Sequence, residues 1–355
     1  MNEAFATLNV LKVFGLGSLS FFIAFLYAPF LTKLLYRGKF WKKKGGKQAL
    51  FGGEAATFNS LKKEEREVPR MGGVLIWGST LLVTLIFWAL SAYPDGNLFV
   101  KLNFLSRSQT WLPLFTLFAA SIIGLVDDFF QVRDKGSYFA GGLDLKKRIF
   151  LVTLIGLIGA WWFFAKLEIS AIWIPWVGAV DLGLGFIVLF VAVMLATFSS
   201  GVIDGIDGLA GGVMAAIFSA YSGIAFFQNQ IDLATFCAVM VGGLLAFLWF
   251  NIPPARFFMG ETGMLGLTTT LTVVAFLTNA VATLPLIAFP LALTTASDIL
   301  QGFSRKFRGR KLFLVAPLHH HFEAKGWPSY KVTMRFWVVS VVFAVIGMVV
   351  TLMGK

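Results

Sequence analysis

Ten stretches of this sequence are predominantly apolar and long enough to cross a bilayer, at 13–36, 71–93, 111–128, 149–166, 182–202, 209–227, 233–250, 262–279, 281–302 and 332–353. About 20 such residues span the hydrocarbon core as a helix. Within lipid only a backbone that satisfies its own polar groups is viable, so each stretch reads as a transmembrane α-helix. Composition agrees: charged residues make up 14% of the chain, where a soluble domain carries about a quarter. An aromatic share of 16%, with 39 Phe, excludes disorder. The expected fold is all-α, a polytopic integral membrane protein of about ten spans. No fixed-period repeat or low-complexity tract interrupts it, so residues 1–355 read as one membrane domain. Segment 167–181, with Trp173, Pro175 and Trp176, reads as an interfacial connection.

The formal charge of +12 would suggest nucleic acid on a soluble chain. On a membrane chain it reports topology, because Lys and Arg mark cytoplasmic loops. Of the 30 Lys and Arg, 25 fall in segments 33–70, 129–148, 251–261 and 303–335. An even number of spans places both termini on one side. The reading is therefore a bacterial plasma (inner) membrane protein with extracytoplasmic termini. Its cytoplasmic loops are 33–70, 129–148, 203–208, 251–261 and 303–331, its first partner is the lipid bilayer, and no nucleic acid is expected. Phe40, Trp41, Phe51 and Phe58 among the lysines of 33–66 read as an interfacial stretch on an anionic leaflet. Residues 1–12 lack the basic start of a secretory signal, and the lone Cys237 excludes an internal disulfide.

Acidic residues gather on the same face. Asp127 and Asp128 close the third span, Asp204 and Asp207 sit in GVIDGIDG, Glu261 enters the eighth span, and Asp298 lies near the cytoplasmic end of the ninth. Each alone could cap a helix or pair with a loop lysine. As a set they are harder to explain, because adjacent aspartates repel and charge at a membrane edge is costly. A divalent cation removes the repulsion, and hard carboxylate oxygens suit Mg²⁺, which commonly binds through one or two carboxylates plus substrate phosphates. Clustered acids beside a basic face therefore point to a phosphate-bearing substrate. Glycines at the starts of the second, sixth and eighth spans (Gly72, Gly73, Gly205, Gly208, Gly260, Gly263) permit close backbone approach to an anion. His319, His320 and His321 form the only histidine group. Such a run is poor as a metal site but suited to phosphate binding or proton transfer near neutral pH; a solvated polar loop is the simpler alternative.

Five motifs carry a resemblance: PRMGG at 69–73, VDDFF at 126–130, DGIDGLAGG at 204–212, FLWFNIPPARFFMGETG at 247–263 and APLHHHFEAKGWP at 316–328. In this order and on this face, the chain resembles the polyprenyl-phosphate N-acetylhexosamine-1-phosphate transferases, and within them the muramoyl-pentapeptide branch. The resemblance implies Mg²⁺-dependent transfer of phospho-MurNAc-pentapeptide from UDP-MurNAc-pentapeptide to undecaprenyl phosphate; a homodimer is compatible with it. It assigns Asp127, Asp128, Asp204, Glu261, His319, His320 and His321 to catalysis, with Asp127, Asp128 and Glu261 at the metal. It assigns Gly205, Ile206, Asp207, Asn251, Phe258 and Arg148 to substrate binding.

Three departures stand out against that pattern. Glu261 replaces an aspartate, Gly201 replaces an asparagine before Asp204, and Gln131 replaces a lysine after the first aspartate pair, with a later basic position appearing as Arg148. Two other readings are weighed. A sister enzyme would transfer GlcNAc-1-phosphate, against which the histidine run argues. A secondary transporter would place its acids near the bilayer midplane, often within inverted repeats.

Overall fold

The computed structural model describes residues 3–41, 67–93, 97–133 and 142–354. Lys42, Lys43, Lys44, Lys47, Lys62, Lys63, Arg66 and Lys135, together with Phe51 and Phe58, lie outside the described residues.

The chain runs through α1 (Glu3–Val10) and a π turn into α2 (Leu16–Arg37), then α3 (Val74–Leu90), α4 (Asn97–Leu102), α5 (Trp111–Val132) and α6 (Leu145–Trp161). A hairpin of β1 (Ala171–Ile174) and β2 (Gly178–Asp181) precedes α7 (Gly185–Ser199), α8 (Leu209–Phe227), α9 (Ile231–Asn251) and α10 (Gly260–Leu277). Then come α11 (Leu284–Ile287), α12 (Phe289–Arg308), α13 (Leu318–Ala324) and α14 (Ser329–Met353). Among the described residues eight helical segments are long and apolar enough to cross a membrane. Two further expected spans correspond to α3, apolar but only 17 residues long, and to α12.

Two expectations change, those for 281–302 and for the histidine run, and the connection 167–181 gains detail. The apolar run 281–302 is not one helix. Pro285 and Pro290 each sit in the first turn of a separate helix, with the break at Ala288. Proline lacks the N–H that a helix interior needs but is tolerated in the first turn, so each starts a helix anew. α12 is also amphipathic, burying Thr294, Ser297 and Gln301 while exposing Leu293, Ile299, Leu300, Phe303 and Phe307. Segment 167–181 holds a hairpin in antiparallel register, Ala171 opposite Asp181. The histidine run is helical, on α13, rather than a loop.

α10 is the buried axis of the bundle, against which α5 and α7 pack. No apolar contact distinguishes protein from lipid, so helices in a membrane associate through close packing of small residues and interhelical hydrogen bonds. α5 and α10 show this directly. A Cβ added to Gly266 would stand 2.1 Å from Ser121 Oγ, and one added to Gly124 would stand 2.2 Å from the Glu261 carbonyl. Several threonines of α10 and its C-cap fit the same logic: Thr268, Thr269 and Thr278 donate to carbonyls four residues back at 2.7–2.8 Å, which satisfies those three hydroxyls inside the apolar core.

Contacts sort the connections into two ends. Lys12 reaches Asp232 (2.6 Å) and the Asn103 carbonyl (2.8 Å), while the Trp173 indole donates to the Gly354 carbonyl (3.0 Å). The other end gathers the PRMGG, VDDFF, DGIDG, MGETG and histidine segments.

Candidate active site

Helical spacing sets the first part of the site. Gly124, Asp127, Asp128 and Gln131 recur at three- and four-residue steps, and all four are buried on the face of α5 turned toward α10. The start of α10 meets them. Gly260 has φ +73°, a conformation that glycine alone adopts freely. A Cβ there would stand 2.3 Å from Asp128 Oδ2. Asp128 also accepts a hydrogen bond from the Thr262 N–H (3.0 Å) and faces Arg70 Nε at 3.4 Å.

Asp127 accepts from Gln131 Nε2 (2.6 Å), from the Leu143 N–H, and from Arg148 Nη2 (3.0 Å). The same guanidinium donates through Nη1 to Glu261 Oε1 at 2.7 Å. Asp127, Asp128 and Glu261 therefore converge, as the sequence suggested, with Arg148 between two of them. Arg70 belongs to the group although it was not among the candidate site residues. Burial alone would lower its pKa, but Asp128 first, then Asp204, Glu261 and Asp127, hold it above its ordinary value. Asp204 thus shares the electrostatic neighbourhood of the other three acids. The sequence signal for Arg70 is its place in PRMGG, beside the two glycines that meet FFMGE.

Backbone pairing explains how distant motifs meet. Gly72 and Gly73 donate to the carbonyls of Phe258 and Met259 (2.8 and 2.9 Å), and Phe258 N–H donates to the Pro69 carbonyl (2.8 Å). This ladder presses PRMGG against FFMGE. Phe258 itself is half-buried, whereas its neighbour Phe257 is fully buried against Phe247 and Phe250.

The DGIDG turn lies under the histidines. A Cβ on Gly205 would stand 2.5 Å from His319 Nε2 and 2.7 Å from His320 Nε2. Both rings are buried, with centroids 4.2 Å apart, and His320 Nδ1 is 2.6 Å from Glu323 Oε2. His321 turns elsewhere, since successive helical residues point about 100° apart. It accepts the Leu314 N–H at Nδ1 (3.1 Å) and lines a cavity of about 540 Å³ with Lys311, Phe313 and Lys325. The three histidines do not act as one cluster.

Asn251 is buried, accepting the Gly208 N–H (2.9 Å) and donating to the Phe257 carbonyl (2.8 Å). Asp207 accepts the Ala255 N–H at 3.1 Å. Both thus fasten DGIDG to the 252–258 loop. Ile206 is buried beside them.

As donors, Asp127, Asp128 and Glu261 suit a hard cation. Among the described residues no three acidic, histidine or cysteine side chains stand together as a ready ligand set. Arg148 and Arg70 supply the counter-charge between them. The same cations could grip phosphate oxygens, Arg through a planar fork.

Comparison with known proteins adds the lineage. Residues 110–279 match the model of glycosyl transferase family 4. A phospho-N-acetylmuramoyl-pentapeptide-transferase of Geobacillus sp. (strain WCH70) is 31% identical over 333 residues, 93% of this chain and 94% of that protein. The transferase of the same name from Listeria innocua is 32% identical over 331 residues, covering 92% and 93%. That from Pelagibacter ubique is 31% identical over 301 residues, covering 79% and 78%. With identity at this level along nearly its whole length, the chain belongs to the phospho-N-acetylmuramoyl-pentapeptide-transferase family.

Proposed function

We propose that this protein transfers phospho-MurNAc-pentapeptide from UDP-MurNAc-pentapeptide to undecaprenyl phosphate, giving lipid I and UMP. The observation that carries the reading is the knot of charge at one end of an apolar bundle. Three carboxylates, Asp127, Asp128 and Glu261, interlock there with Arg70 and Arg148, next to the paired histidines over Gly205. A site at a membrane end can receive one substrate from lipid and the other from water.

The reaction brings two anions together, so its main obstacle is charge repulsion. An oxygen of the lipid phosphate attacks the β-phosphorus of the UDP-sugar in line. The new P–O bond forms as the bond from that phosphorus to the bridging oxygen breaks, and UMP leaves with the electron pair. The Asp127–Asp128 pair accepts the proton of the lipid phosphate. Both carboxylates are buried and held by hydrogen bonds from fixed donors, which favours a proton acceptor over a mobile covalent nucleophile. Arg70 and Arg148 steady phosphate oxygens, and His319 and His320 close over the pyrophosphate beside Gly205. Ile206, Asp207, Asn251 and Phe258 shape the nucleoside side, while Asp204 stays with the acidic centre around Arg70. Asp127, Asp128 and Glu261 would hold Mg²⁺, whose charge offsets that of the diphosphate. The charge bias of the loops supports a cytoplasmic site in the bacterial inner membrane.

Purified protein incubated with UDP-MurNAc-pentapeptide, undecaprenyl phosphate and Mg²⁺ should release UMP and form lipid I. Absence of both, or UMP released only from UDP-GlcNAc, rejects the reading.

A further inference from the structure

Arg148 is held by three separate acceptors. Nη1 meets Glu261 Oε1 at 2.7 Å, Nη2 meets Asp127 Oδ2 at 3.0 Å, and Nε donates to the Leu143 carbonyl at 3.1 Å. Two of these acceptors are carboxylates on different helices, α5 and α10. Gln131 donates to the same Asp127 oxygen, Oδ2, and adds a hydrogen bond but no charge. Gln131, Asp127, Arg148 and Glu261 thereby form a single chain of contacts.

We propose that Arg148 is a positioning residue that competes with the divalent cation for Glu261, and that the length of the Glu261 side chain sets the strength of that competition. The proposal rests on the reading of Asp127, Asp128 and Glu261 as the cation's ligands. A glutamate reaches one methylene, about 1.5 Å, further than an aspartate. The backbone cannot shift to make up a shorter side chain. Gly124 packs on the Glu261 carbonyl, and a Cβ on Gly73 would stand 2.3 Å from Gly263 Cα, so the first turn of α10 is clamped by α5 and by the chain entering α3. Arg148 is equally constrained by Leu143 and Asp127. An aspartate at position 261 would therefore stand about 4 Å from the guanidinium, beyond a hydrogen bond.

A carboxylate cannot give the same oxygen to a guanidinium and to a divalent ion at full strength. A cation on Glu261 draws on the same negative charge, so in this proposal its binding weakens the Arg148–Glu261 contact. The released fork then faces the acidic centre, where a phosphate group can take it. Cation and phosphate ligand are thus expected to favour each other's binding, a coupling that is reciprocal by linkage.

The test is Mn²⁺ binding to the full-length protein in detergent micelles, followed by the electron paramagnetic resonance of free Mn²⁺. Wild type is compared with Glu261→Asp, Arg148→Lys and the double variant, without substrate. Lysine keeps the charge but lacks the fork that bridges two carboxylates. Each single variant should bind Mn²⁺ about fivefold more tightly, the effect of releasing one partly exposed ion pair. The double variant should gain no more than the better single, because one contact is lost once. Unchanged or weaker binding in both single variants, or fully additive gains, overturns the proposal. Asp128→Asn separates the two levels: Mn²⁺ binding as tight as wild type there rejects the ligand assignment itself. Should one single variant fail to fold, the other still carries the comparison.

Discussion

Asp128 shows how much one side chain depends on its surroundings. It is fully buried, shares Arg70, and accepts the Thr262 N–H. Asp128→Asn preserves the shape but removes the charge and the proton acceptor. Transfer should fall on the order of 10²–10⁴-fold, measured as UMP release, and the melting temperature in detergent should drop because Arg70 loses its buried counter-charge. His321 provides a pH prediction. Burial, then the charge of Lys325, lowers its pKa below the ordinary value of about 6.5. Above the ordinary value the ring is neutral in both folded and unfolded chains, and pH has no effect through it. As pH falls between the ordinary and the folded values, only the unfolded chain takes up the proton, so the fold loses stability there. Below the folded value Nδ1 is protonated and can no longer accept the Leu314 N–H. The exchange protection of that amide should hold while the ring is neutral and be lost once the ring resonances of His321 show it protonated; protection retained with a protonated ring contradicts the assignment.

At the scale of elements, the site is built by short ties between loops rather than by helix packing alone. Asn251, the last residue of α9, holds Gly208 and the Phe257 carbonyl at once. Asn251→Leu leaves both buried groups without this partner, at roughly 1–3 kcal/mol each. Thermal unfolding in detergent should show the loss, and nucleotide-sugar KM should rise because DGIDG is no longer fastened to the 252–258 loop. The element boundaries themselves follow local chemistry. α8 starts after Gly208 in the left-handed region, as the run 209–227 indicated. By contrast, the apolar content of 281–302 concealed a break, because hydropathy does not register that two prolines can each begin a helix. The histidines, too, looked like a loop in sequence. Their helical placement separates His321 from the buried pair.

For the whole molecule, the distribution of Lys and Arg makes a prediction about sidedness. Cys237 is buried, so it should stay unlabelled by a membrane-impermeant maleimide. Two added cysteines at exposed positions then report topology. Ser108→Cys lies at the end that carries few positive charges, and Lys311→Cys lies at the basic end. In intact cells the first should be labelled and the second only after permeabilisation. The reverse pattern would invert the proposed orientation and move the charged site out of the cytoplasm.

Sequence by itself determined the membrane class, most helix locations and the identity of the acidic and histidine residues, because bilayer burial imposes length and polarity on every segment independently. The apolar runs 111–128 and 209–227 needed no partner to be recognised. Only the tertiary structure decided how those residues meet. The paired residues of PRMGG and FFMGE are at least 186 positions apart, yet the two segments meet through backbone hydrogen bonds. The resemblance marks Arg148 as a substrate-binding candidate, but only the fold shows that it bridges Asp127 and Glu261. The physical reason is range: hydropathy is a property of one segment, whereas a salt bridge or a glycine contact exists only once two segments have been brought together by the fold.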